Sequence, residues 1–449
     1  MKHWDSFLIK GAVWTTGTFG FGVLLRLATN VILTRLLAPE LFGIMIIANN
    51  VKMGVELITD VGIGQNIVHS PNAENPDFYN TAWTLRLIRA VLLWVACVIA
   101  AAPIAKLYHS PVLIQVIPVY SLFVVFSALD SIAVPFLQKK MQFARLNFFE
   151  MTQNFLSSFI HIVLAYFNPT VWALVFAGLI ASLVRSASSY FLLPDIRPRL
   201  RISKIYARQI LSFGKWIFLS SALYYFSTYI DTLYFGKIVG LSTVGIYGIA
   251  RVFSKMIESF MVQFGNNIIF PLVAASQTMA RDQLRSGLIV RRLAMLSVAA
   301  IGIAISISIG DVIIKTFYDQ RYHAASWMLP VLLAGTWFSI LSSINEATLL
   351  GFGRPVYTTF GSGFKLTWLL IAFPVVYAEF GLSGAIMVVA TGDLFRYLTS
   401  LVGQIRERFS FAVQDAAITL FLIGLICLFE WLRWSLGFGT SYDGLPSIG

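Results

Sequence analysis

The chain has 449 residues, 57% of them hydrophobic and only 12% charged, with a mean hydropathy of +0.77 and a formal net charge of +12. Soluble domains average about 25% charged residues, and no polar interval here exceeds roughly 20 residues, which excludes a soluble domain and fits a polytopic membrane protein. In such a chain the positive excess is first a matter of which loops lie on which side, and it calls for no nucleic acid partner.

A membrane span needs about 20 apolar residues, each adding 1.5 Å of helix. Residues 1–10, with Lys2, Trp4 and Lys10, form an interfacial anchor ahead of the first run. That run, 11–34, is too long for a signal-peptide core and predicts an uncleaved helix. Further helices are predicted at 41–59, 82–107, 112–136, 148–167 and 170–192. A basic interval follows, and then runs at 211–236, 242–270, 290–310, 326–350, 356–378 and 382–403. A last run, 416–436, is long enough for a thirteenth span.

The expected fold is an all-α polytopic membrane protein with two six-helix bundles, 1–193 and 211–403. Residues 194–210 make a cytoplasmic linker between them, and 404–449 an extra helix and tail. Six is even, so both halves enter the membrane in the same direction and are related by a pseudo-two-fold along its normal. The repeat is visible in the letters. TRLLAPELFGIMIIA (34–48) slides without a gap onto GKIVGLSTVGIYGIA (236–250), matching Arg35 to Lys237, Gly43 to Gly245, Ile44 to Ile246 and Ala48 to Ala250. The same offset puts Trp14 on Trp216 and Glu56 on Glu258. Each copy is two apolar runs joined by a tight basic turn, as in a duplicated transporter half.

Alternating the sides sorts the loop charges. Lys139, Lys140 and Arg145, the linker basics Arg197 to Arg208, Arg281 to Arg292, Arg354, Arg406 and Arg408 share one side. Only Arg35, Lys106, Lys237, Lys315 and Arg321 fall on the other. The first side is cytoplasmic, and the N-terminus with it. The loop 60–81 departs from the pattern, carrying acidic residues and no Lys or Arg.

No catalytic or metal-binding motif is present, and no cofactor is expected. Cys97 and Cys427 sit in apolar runs as packing residues, and His161 is a hydrogen-bonded packing residue on an apolar helix. What remains is charge inside the spans, where an ion costs at least about 2.5–3.5 kcal/mol and therefore faces protein or water. The basic candidates are Arg26, Lys52, Arg86, Arg89, Arg185, Arg251, Lys255, Lys365 and Arg396. The acidic ones are Glu56, Asp130, Asp231, Glu258 and Asp393. Lys52 with Glu56, Lys255 with Glu258, and Asp393 with Arg396 are spaced to neutralise one another along a helix. Arg86 and Arg185 lie near a cytoplasmic end and can snorkel. Arg26, Arg89 and Arg251 have no acidic residue at i±3 or i±4 and are the sharpest candidates for an anion-binding cavity. Glu56 and Glu258, equivalent in the repeat, either organise that cavity through Lys52 and Lys255 or carry a coupling proton.

The run TRLLAPELFGIMIIA with ITDVGIGQNIV (58–68), the stretch 212–250 and FGRPVY (352–357) resemble the bacterial polysaccharide transporter family. This family holds the Wzx-type O-antigen and exopolysaccharide flippases of the multidrug/oligosaccharidyl-lipid/polysaccharide (MOP) exporter superfamily. The resemblance implies two six-helix lobes with a cationic cavity and alternating access. It implies a bacterial inner-membrane protein, not an enzyme, that moves undecaprenyl-diphosphate-linked oligosaccharide from inner to outer leaflet. Its implied partners are that lipid, membrane lipids, and the polysaccharide polymerase and export machinery. A fourteenth span found in some relatives is not expected after the run 416–436. A cation-coupled drug exporter of the same superfamily is the alternative, and it favours acidic groups in its lumen. A membrane glycosyltransferase or polymerase is disfavoured by short outer loops and the lack of an acidic catalytic cluster.

Overall fold

A computed structural model describes residues 2–58, 67, 74–140, 142–194, 196–265, 269, 273 and 281–441. Most of the loop 60–81 and the end of the run 242–270 lie outside the described residues, as does the resemblance carried by 58–68. Every regular element described is helical: α1 (Lys2–Leu36), α2 (Pro39–Ile58), α3 (Pro76–Leu107), α4 (Leu113–Ala128), α5 (Ala133–Lys139), α6 (Phe143–Phe167) and α7 (Val171–Ser189), then α8 (Lys204–Ile238), α9 (Leu241–Phe264), α10 (Arg281–Phe317), α11 (Ala325–Gly351), α12 (Val356–Arg406) and α13 (Ala412–Ser435). Among the described residues, six helices are long and apolar enough to cross a membrane, or seven if the bent pair α4 and α5 is one span.

Local chemistry fixes the breaks. Pro39 opens α2, where its missing N–H costs nothing. Asn75 caps α3 by accepting from the Asp77 amide at 2.9 Å, with Pro76 at the first helical position. Between α4 and α5 the axis turns by 52°. The 51-residue α12 is interrupted at Gly381, whose φ of 56° and ψ of −145° are open only to glycine. That break separates the predicted runs 356–378 and 382–403. Several helices begin earlier than hydropathy suggests, among them α1, α3, α8 and α10. The start of α8 takes in the last part of the basic interval, and α10 takes Arg281, Arg285, Arg291 and Arg292 onto its first turns. Polar residues at a helix end do not stop a helix whose next turns are strongly apolar.

The chain divides into two compact units, residues 1–225 with 235–242, and residues 226–234 with 243–449. In the first unit, α3 packs on α4, α1 on α6, and α7 on both α4 and α6. The 235–242 segment belongs here because two glycines allow it close. A Cβ on Gly43 would fall inside the Leu241 peptide carbonyl, and one on Gly236 would meet Tyr108 and Ile47. The segment before α8 is laced to α3. The amides of Arg199, Arg201 and Ser203 donate to the side chains of Asn80, Thr84 and Thr81 at 2.7, 3.0 and 2.9 Å. Alternate amides point one way in an extended chain, so three polar side chains on α3 satisfy backbone that no helix or sheet serves.

In the second unit, α11 packs on α12 and α10, and α10 on α13. Helix α11 is the innermost, with Gly335 set directly against the backbone of Ala390. Helix α13 is fastened to α10 at both ends. At one, Asp415 meets Arg292 at 2.6 Å, with Asn345 and Gln414 also on the guanidinium. At the other, Arg433 grips Asp311 with both nitrogens at 2.6 Å. Arg292 was expected among the cytoplasmic loop charges, and the structure corrects this. It lies on α10 and is only 3% exposed, because the helix starts eleven residues before it.

Candidate functional site

The membrane-depth charges fall into three groups and one single residue. In the second unit, a cavity of about 30 Å³, room for roughly one water, is lined by Asp231, Arg251, Lys255, Glu258, Lys365 and Asp393. Hydroxyls of Ser227, Thr228, Ser254 and Thr336 complete its polar wall. Every ion here meets a partner. Arg251 of α9 pairs with Asp231 of α8, and the Tyr247 hydroxyl donates to Asp231 at 2.6 Å while accepting from Arg251 at 2.7 Å. Lys255 pairs with Glu258 at 2.5 Å, whose other oxygen accepts from Ser339 at 2.8 Å. The Lys365 ammonium straddles both oxygens of Asp393 at 2.8 and 2.9 Å. Asp393 lies 3.6 Å from Arg396, which makes a two-pronged contact with Glu346 at 2.9 and 2.7 Å. A planar fork on a carboxylate is the strongest such geometry.

In the first unit, α2, α3 and α4 gather the second group. Lys52 is buried over the rings of Phe123 and Tyr120, 4.2 and 5.4 Å from their centroids. Desolvated ammonium ions gain most from such faces. One turn along α2, the Glu56 carbonyl accepts from Arg89 of α3.

The third group surrounds the α4–α5 bend. Breaking a helix frees carbonyls that must find donors. Arg86 supplies them, donating to the Ala128 carbonyl at 3.1 and 2.9 Å and to that of Asp130. It is therefore anchored in the protein and does not snorkel. Arg185 makes a two-pronged pair with Glu150 at 2.8 and 2.6 Å and lies 3.5 Å from Asp130. Arg26 is exposed on α1 and makes no hydrogen bond or ion pair with another of the described residues.

Partners therefore come from neighbouring helices as often as from the same one. Sequence spacing missed Glu150, Glu346, Arg292, Asp415, Asp311 and Arg433. Glu346 carries the clearest overlooked signal, a carboxylate inside the apolar run 326–350. The pairing also locates the cationic excess. In the second unit Arg251, Lys255, Lys365 and Arg396 face Asp231, Glu258, Asp393 and Glu346, one acid for each base. Among the described positions inside the first unit's apolar runs, Arg26, Lys52, Arg86, Arg89 and Arg185 outnumber Glu56, Asp130 and Glu150. Among the described residues, no cluster of three or more His, Cys, Asp or Glu is arranged to hold a metal ion. His161 Nδ1 lies 2.8 Å from the Ser157 carbonyl, an interaction within its own helix.

Comparison with known proteins gives a family. Residues 32–327 match the family described as polysaccharide biosynthesis protein. The succinoglycan biosynthesis transport protein ExoT of Rhizobium meliloti is 25% identical over 57% of this chain and 51% of its own length. The lipopolysaccharide biosynthesis protein WzxC of Escherichia coli is 23% identical over 60% of this chain and 55% of its own. The chain thus spans about half the length of these two. A putative O-antigen transporter of Shigella flexneri is 22% identical over 84% of this chain and 93% of its own. Among solved structures, the lipid II flippase MurJ in an inward closed conformation superposes with a TM-score of 0.72 at 11% identity, covering 95% of this chain and 93% of MurJ. An inward-facing multidrug MATE transporter of the MOP superfamily gives 0.66 at 15% identity, covering 88% and 95%. The chain belongs to the polysaccharide biosynthesis protein family, as the resemblance of its first hairpin implies, and it has the fold of MOP-superfamily transporters.

Proposed function

We propose that this protein moves undecaprenyl-diphosphate-linked oligosaccharide from the inner to the outer leaflet of the bacterial cytoplasmic membrane by alternating access. On this proposal residues 1–193 and 211–403 each supply six spans, 416–436 supply a thirteenth, and the N-terminus is cytoplasmic. The observation that carries it is the excess of basic over acidic residues among the charged positions of the first unit's helices, where Lys52 is buried over two aromatic rings and Arg86 is held by carbonyls. A diphosphate brings at least two negative charges to a hydrocarbon layer about 30 Å thick, and fixed cations offset their cost there. A membrane potential negative inside favours the export of each such charge by about 2.3 kcal/mol per 100 mV. The pairing of Asp231, Glu258 and Asp393 with built-in cations supports this substrate over a cation-coupled exporter, whose carboxylates must release such partners to take an ion.

The test is flipping of an undecaprenyl diphosphate oligosaccharide in reconstituted vesicles. Arg26→Ala and Arg89→Ala are each expected to slow it by about 10- to 100-fold, the loss of one charged contact worth roughly 1.5–3 kcal/mol. Arg→Lys keeps part of the rate, since charge survives and the fork does not. Arg251→Ala is expected to be impaired differently, because it strands Asp231. Wild-type flipping by the Arg26 and Arg89 alanine variants would place the anion elsewhere.

Sidedness has its own check. With Cys97 and Cys427 replaced, a cysteine at exposed Arg321 should react with an impermeant thiol reagent in intact cells, and one at exposed Arg201 should be protected. The reverse pattern would invert the orientation.

A further inference from the structure

At the C-terminal ends of α1 and α6 the first unit carries a groove of about 410 Å³, within the 300–1,000 Å³ range of ligand sites. Ile32, Arg35 and Leu36 form one wall, and Ile162, Val163 and Tyr166 the other. Its chemistry is graded along the helix axes. Arg35 lies in the last turn of α1, and Ile32 lies about 4.5 Å deeper. At the end of α6, Tyr166 and Phe167, which line the groove with Arg35, meet edge to face at 5.5 Å and are 69% and 79% exposed. An exposed tyrosine at a helix end suits the membrane interface, where tyrosine is enriched. One end of the groove is therefore apolar and deep, and the other holds a guanidinium at headgroup level.

We propose that this groove binds an anionic bilayer phospholipid, with one acyl chain between α1 and α6 and the phosphate on Arg35. Charge complementarity selects the head group, because the guanidinium fork fits phosphate oxygens in two-pronged fashion. The sparse polar lining selects against the lipid-linked oligosaccharide. Besides Arg35, only the Tyr166 phenol offers a side-chain hydrogen bond, and no amide or carboxylate is there to engage sugar hydroxyls. The site is separate from the membrane-depth cations, so it stands or falls independently of the transport proposal. A bound lipid would tie α6 to the end of α1 just before the α1–α2 turn.

The test uses the full-length protein in detergent, titrated with phosphatidylglycerol or with phosphatidylcholine of the same chains. Native mass spectrometry counts the lipids retained, and thermal unfolding is followed alongside. Wild type is expected to retain one phosphatidylglycerol more than Arg35→Ala, and to gain thermal stability from that lipid alone. Val163→Trp, which fills the groove and leaves the charge, should lose the same lipid, whereas Arg35→Lys should keep part of it. Arg35 is exposed, so its variants test the head-group contact even if Val163→Trp folds poorly. Equal retention of phosphatidylglycerol by wild type and Arg35→Ala would overturn the site, as would equal retention of the two phospholipids. Displacement of the retained phosphatidylglycerol by undecaprenyl phosphate at equal concentration would overturn the choice of occupant.

Discussion

Replacing Asp415 with alanine is expected to destabilise the second unit by about 3–5 kcal/mol, because it leaves a guanidinium buried without its carboxylate. Asp415 is 0% exposed and Arg292 3%, so water cannot compensate either one. Asn345, Gln404 and Tyr397 are hydrogen-bonded into the same cluster, and they lose a common acceptor or a neighbour when Asp415 goes. The measurement is the half-life of the folded protein in detergent at elevated temperature, since unfolding of such a protein is read best as a rate. Replacing both partners by apolar residues of similar size should cost much less than either single truncation, because no charge is then stranded. Lys315→Ala is the control. That side chain is 55% exposed and 3.6 Å from Asp311, and surface pairs of this kind contribute about 0–1 kcal/mol. If Asp415→Ala matches wild type, the pair does not fasten α13.

Gly43→Val is also expected to be damaging, for a steric reason. The valine Cβ would occupy the space of the Leu241 carbonyl, and backbone cannot swing aside as the tip of a flexible side chain can. Either α2 and the start of α9 separate or the helices shift together, and forced overpacking costs about 1–3 kcal/mol or more. Yield and flipping should both collapse. Gly17→Ala and Gly20→Ala, where an added Cβ meets nothing within 4 Å, should leave both unchanged. Normal yield and flipping in Gly43→Val would mean that this close approach is not required.

The helices and the charged positions were legible because each leaves a local trace: an apolar run, or an ion where hydrocarbon is expected. The partners were not. A helix pattern compares residues three or four apart, and it found Lys255 with Glu258 and Asp393 with Arg396. Asp231 and Arg251, Lys365 and Asp393, Glu346 and Arg396 sit on different helices or on opposite arms of one broken helix. Their pairing depends on which faces meet, and hydropathy does not carry that. Arg251 thus had no acid three or four residues away on its own helix, yet it contacts one on α8 in the structure. The role of Arg86 was hidden more deeply: Pro135 signals a break near Ser131, but nothing in the letters says which side chain answers the freed carbonyls.

The lacing of residues 199–203 onto α3 bears on how motion enters α8. The last of the three bonds is made by Ser203, and α8 begins at the next residue. No slack chain separates the anchored strip from the helix, so a tilt of α8 cannot be absorbed by a loop paying out. It must appear as torsion at Ser203 or as a pull on Asn80, Thr81 and Thr84 in the first turns of α3. The basic stretch that resembles a tether in the sequence is, mechanically, a short lever with its fulcrum on the third helix.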